Sequence, residues 1–138
     1  MKISNIIIKN NSDITEHVLK LIKFMEAKGI NMSPYPKLSY LKEDLYEKDM
    51  LGPTAWYDAD NKKISVLTKG RHPKDVLRSI SHELIHHNQN IEGKIETSES
   101  LEDPKYAQNN KKLRILEAEA YLKGNMLLRD YLDNLKHG

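Results

Sequence analysis

Cysteine is absent from this chain of 138 residues. That excludes a disulfide framework, a thiolate metal site and a cysteine nucleophile. Long apolar runs are missing too. None approaches the ~18 residues that a membrane-spanning helix needs, and the mean hydropathy is −0.68. Aromatics are sparse, with one Trp and one Phe, so aliphatic side chains must build most of the core. Charge of one sign is not in excess. The formal net charge is +2, too balanced to argue for a nucleic-acid partner on electrostatic grounds alone. The isoleucine cluster between Met1 and Lys9 is too short for a secretory signal. These absences lead us to expect a soluble protein of the cytoplasm or a virion. The length suits a single domain over 1–138 that buries roughly two-thirds of its unfolded surface.

Periodicity divides the chain into a few elements. Ile3 to Ile8 reads as a short strand or docking arm. Asp13 and Glu16 have capping-box spacing, and Ile14, Val18, Leu21, Ile22 and Met25 follow a helical period. A helix is expected over 13–28, stopped by Gly29. Pro34 and Pro36 mark a turn, and Leu38 to Leu41 a short strand. Residues 42–53 read as loop. Thr54–Tyr57 and Lys63–Thr68 flank the turn chemistry of Asp58 to Asn61, which predicts a β-hairpin. Pro73 opens a helix that runs to Ile91 and stops at Gly93. The acidic stretch 92–103 reads as a solvated loop, and 107–135 as a last helix. The fold class expected is α+β: three main helices and a small antiparallel sheet.

One motif carries chemistry. His82-Glu83-Leu84-Ile85-His86 is H-E-x-x-H within the Pro73–Ile91 helix. The i,i+4 spacing sets both imidazoles on one side, a turn apart, where they can grip one zinc ion. Glu83 lies beside them and can take a proton from a water at the metal. On a helical wheel, the two histidines point away from the apolar stripe of Val76, Leu77, Ile80, Leu84 and Ile91, as in the wall of a cleft. A catalytic zinc needs a third protein ligand. The extension H-E-x-x-H-x-x-G-x-x-H fails, because Gln89 and Glu92 stand where Gly and His are required. A carboxylate from the last helix remains, either Glu117 or Glu119. Glu117 is favoured, because it falls in the buried stripe of Leu113, Leu116, Ala120, Gly124 and Leu127, where a carboxylate needs a partner. Ala120 and Gly124 are small enough to let the two helices approach closely.

H-E-L-I-H at 82–86, followed by E-A-E-A at 117–120, resembles the gluzincin arrangement of zinc peptidases. The resemblance implies a zincin-like active-site helix and one zinc per chain. His82, His86 and Glu117 would be the metal ligands and Glu83 the general base. Tyr121 departs from the pattern, since an Asp or Asn commonly stands there to hydrogen-bond a ligand histidine. The 71–87 run further resembles minimal metallopeptidases encoded by tailed phages and some bacteria. The activity implied is zinc-dependent hydrolysis of a peptide or protein substrate. Ile64 to Thr68 would hold substrate backbone as an outer strand.

The remaining candidates have plainer readings. His87 packs or faces solvent, His72 belongs to a helix start, and His17 and His137 lie on the surface. Tyr106, Tyr121 and Arg114 are candidates for stabilising a developing oxyanion. One of Trp56 and Tyr57 packs in the core, since alternate strand residues face opposite ways. Lys111, Lys112 and Arg114 form a solvated basic face. Two alternatives stand beside the peptidase: a metal-bearing protein without hydrolase activity, and a metal-free module that binds protein or nucleic acid.

Overall fold

A computed structural model describes residues 11–41, 54–95 and 111–137. Ile3–Ile8, the 42–53 loop, most of the acidic stretch, residues 107–110, Tyr106 and the His137 side chain lie outside the described residues. Three helices and three strands follow one another in the described chain. They are α1 (Asn11–Ala27), β1 (Lys37–Leu41), β2 (Ala55–Asp58), β3 (Lys63–Leu67), α2 (Pro73–Ile91) and α3 (Lys111–His137). The α+β expectation holds. No helix among the described residues is long and apolar enough to cross a membrane.

In α1 the expected apolar face is buried, with Ile14, Val18, Leu21, Ile22 and Met25 in the core. The helix begins two residues earlier than expected, so Asp13 lies in its first turn. There its charge complements the helix dipole. Gly29 takes φ +87° just past the end, the left-handed stop that glycine adopts without strain.

The sheet corrects one expectation. It is mixed, not antiparallel throughout, with strand order β1-β3-β2. β2 and β3 form the expected antiparallel hairpin, pairing Ala55 with Val66 and Asp58 with Lys63. Asp58 holds the turn by accepting from the Asn61 backbone N–H at 3.2 Å and its side-chain amide at 2.7 Å. β1 pairs with β3 in parallel, from Lys37↔Lys63 to Leu41↔Leu67. β3 is therefore the central strand, and both its backbone edges are bonded. Ile64 to Leu67 cannot take up a substrate strand, because their ladder positions are already filled, and Thr68 lies beyond the strand.

Helix α2 is the hub, packing on α1, α3, β2 and β3. His72 caps it, its ring accepting from the Lys74 N–H at 3.1 Å, and Pro73 follows. The expected stripe is buried at Val76, Leu77, Ile80 and Leu84, but burial does not stop there. Glu83, Ile85, His86, His87, Asn88 and Gln89 are buried as well. The second half of α2 is thus enclosed on nearly every face. Such a polar helix can be enclosed because its side chains find partners. Asn88 donates to the Asn31 carbonyl at 2.9 Å. Ser81 donates to the Gly124 carbonyl at 2.7 Å.

Helix α3 buries Leu113, Leu116, Ala120, Leu127, Leu128 and Tyr131. It crosses α2 at Gly124. A Cβ there would lie 3.1 Å from the His82 Cα, the His82 nitrogen and the Ser81 carbonyl oxygen. The close approach expected from the small residues is therefore present, and it brings the histidine-bearing face of α2 against α3.

Candidate metal centre

His82 and His86 stand one turn apart on α2, with ring centroids 4.9 Å apart and planes at 81°. Glu117 faces them from α3. One ligand atom from each of the three residues lies within 4.8 Å of the other two. The His82 Nε2 is 3.4 Å from Glu117 Oε2, and the His86 Nε2 is 2.6 Å from Glu117 Oε1. Two ligand atoms of a tetrahedral site, each about 2.1 Å from zinc, stand about 3.4 Å apart. The three residues are therefore within the reach of one ion.

The burial of the triad is graded. His86 is 2% exposed at the floor, whereas the His82 and Glu117 side chains are 24% and 42% exposed. The centre is open on one side, where water or a substrate can enter. At the floor, the His86 Nε2 is buried without a hydrogen-bond partner. Its short approach to Glu117 does not have hydrogen-bond geometry. An orphaned imidazole nitrogen beside two further donor atoms is the arrangement a metal ion satisfies. The residues present fit a divalent cation held by His82, His86 and Glu117.

Electrostatics agree with that fit. Burial acts to raise the Glu117 pKa, but the two histidines outweigh it and hold the carboxyl well below the usual carboxylate range. Burial acts to lower His86, and the Glu117 and Glu83 carboxylates overcome it, so its pKa lies above the ordinary 6.5. A proton on His86 occupies the place of positive charge that a metal cation would take. Glu83 is 6% exposed. Burial raises its pKa, with His86 and His82 pulling the other way and Glu117 adding to the rise. A raised pKa makes a carboxylate a stronger base toward a nearby proton donor.

The sequence placed Glu117 within the buried stripe of α3. It lies instead at the edge of that stripe, half-buried. Glu119 does not join the triad. Its Oε1 accepts from the Gln89 amide at 3.0 Å. Gln89 also donates to the Leu116 carbonyl at 2.9 Å, and its Oε1 lies 2.8 Å from the His86 Nδ1. Sequence reasoning passed over Gln89 as the residue that broke a longer motif. The available signal was its position three residues after His86, on the same helix face.

The other candidates separate clearly. His87 is fully buried, with its Nδ1 2.7 Å from the Tyr57 hydroxyl and its Nε2 2.7 Å from the Pro34 carbonyl. It ties α2 to β2 and the segment before β1. His17 corrects the surface reading: it is half-buried and its Nδ1 lies 3.0 Å from the Tyr131 hydroxyl. Tyr57 packs in the core and Trp56 is half-buried. Lys111, Lys112 and Arg114 are exposed. Tyr121 is 63% exposed, its ring edge-on to His82 with centroids 6.4 Å apart. Comparison with known families, with characterised proteins and with solved structures found no match, so the functional reading rests on the chemistry of the site itself.

Proposed function

We propose that this chain is a zinc-dependent hydrolase of peptide bonds. The observation that carries the reading is the orphaned Nε2 of His86, buried beside His82 and Glu117, with a buried Glu83 whose carboxyl interacts electrostatically with all three. Two neutral imidazoles and a carboxylate form a donor set that suits zinc. A bound zinc would supply Lewis-acid polarisation of the scissile carbonyl and lower the pKa of water to about 7.

The chain's own residues do the rest. His86 anchors the floor of the site, while His82 and Glu117 hold its open side. The extended backbone of a peptide would enter past that side. Glu83 accepts the proton of the attacking water on a carboxylate oxygen and passes it to the departing amine. Metal ligation by the triad does not require Glu83, and burying a carboxyl without a task is costly. Its burial beside the ligands favours hydrolysis over metal storage.

The test is the Glu83→Gln variant assayed on a peptide library. The variant keeps its metal and loses turnover by about 10²-fold or more, the usual worth of a positioned base. Equal turnover in the two forms would sink the proposal.

A further inference from the structure

We infer that Gln89, oriented by Glu119 and the Leu116 carbonyl, sets the tautomer of His86 and so aims its Nε2 at the metal. The inference rests on the metal-binding reading of the triad and assigns a positioning role to two residues outside it.

Gln89 is fully buried between α2 and α3. Its amide presents one acceptor and two donors. On the α3 side it meets the Leu116 carbonyl at 2.9 Å and the Glu119 carboxylate at 3.0 Å. Both can only accept. The amide NH₂ must therefore face α3, and the Oε1 must face His86. That oxygen lies 2.8 Å from the His86 Nδ1. An amide oxygen cannot donate, so the Nδ1 carries the hydrogen. In the neutral ring, the lone pair then resides on Nε2, the atom that faces Glu117.

His87 supplies an internal contrast. Its Nε2 meets two carbonyl oxygens, of Pro34 at 2.7 Å and Met32 at 3.3 Å. Carbonyls only accept, so Nε2 carries the hydrogen and Nδ1 accepts from the Tyr57 hydroxyl at 2.7 Å. Adjacent histidines on one helix are held in opposite tautomers. Of these two, only His86 has its Nε2 lone pair left for an ion. Partners of this kind typically change metal affinity by about 10- to 100-fold.

The experiment has two readouts, imidazole ¹⁵N shifts of the metal-free protein at alkaline pH and zinc affinity by chelator competition. Wild type is expected to show His86 as Nδ1–H and His87 as Nε2–H. In Gln89→Leu, His86 loses its Nδ1–H preference, His87 is unchanged, and the zinc dissociation constant rises about 10- to 100-fold. A wild-type His86 held as Nε2–H would overturn the inference without any variant. So would an unchanged tautomer or an unchanged dissociation constant in Gln89→Leu. If wild type takes up no zinc, the metal reading fails, while the tautomer result still stands as a separate measurement.

Discussion

Gly124→Ala tests the close contact on which the geometry of the site depends. Its added Cβ would lie 3.1 Å from three atoms, the His82 Cα, the His82 nitrogen and the Ser81 oxygen. Comfortable separation for carbon atoms is about 3.5–4.0 Å, so the shortfall is roughly half an ångström. All three atoms belong to the α2 backbone, and none can rotate aside. The helices must separate, which also strains the 2.7 Å bond from Ser81 to the Gly124 carbonyl. Alanine gains about 1 kcal/mol over glycine in a helix interior. Overpacking costs about 1–3 kcal/mol, and a weakened hydrogen bond up to about 1 kcal/mol. We expect a net loss of about 1–2 kcal/mol in urea unfolding of the metal-free protein. The larger effect falls on the metal. Ligand distances tolerate only about ±0.2 Å, and the displaced residue is a ligand itself, so zinc affinity should fall by about tenfold or more. A variant that gained about 1 kcal/mol, the bare propensity term, and bound zinc like wild type would refute the argument.

Three further outcomes follow from the same geometry. Glu117→Ala should abolish stoichiometric zinc binding, whereas Glu119→Ala should only weaken it; equilibrium dialysis separates the two, and the reverse order would reassign the ligand. Tyr57→Phe removes the hydroxyl that meets His87 at 2.7 Å and accepts from Asn90 at 3.0 Å. Asn90 keeps its bond to the Ala59 carbonyl at 2.9 Å, but leaving the buried His87 Nδ1 unpaired should cost about 1–3 kcal/mol, and a loss below a few tenths in urea unfolding would contradict the network. Burial lowers the His87 pKa below its ordinary 6.5, against the opposing pull of the Pro34 and Met32 carbonyls. The unfolded chain therefore takes the proton first, and the His87 contribution is present above pH 6.5 and lost as pH falls through the folded value. An NMR titration of His87 checks this directly, and a midpoint above 6.5 would contradict it.

Much of the frame was legible because its signals are local. Pro73 and Gly93 bracket α2, the Asp58–Asn61 turn marks the hairpin, and Gly124 announces a close crossing. The motif residues His82, Glu83 and His86 needed only a helical period to be placed together. Pairings between distant segments were not legible. Leu38 to Leu41 reads as a strand, but nothing in it says that it lies parallel to β3 and turns that strand into the sheet centre. Enclosure of α2 was missed for a related reason. His87 falls within the apolar stripe between Leu84 and Ile91, but Asn88 and Gln89 lie off it, and their burial depends on the Asn31 and Leu116 carbonyls that the fold brings to them. The edge position of Glu117 depends on how α3 rolls against α2, which periodicity fixes only to within part of a turn.

The most direct test of the account is the metal content of the full chain, purified without a histidine tag or chelating resin and measured by elemental mass spectrometry. The triad predicts one zinc per chain, removed by chelator and restored by added zinc, with Glu117→Ala lacking it. A chain that takes up no metal even when zinc is added back would contradict the claim that His82, His86 and Glu117 form a metal centre.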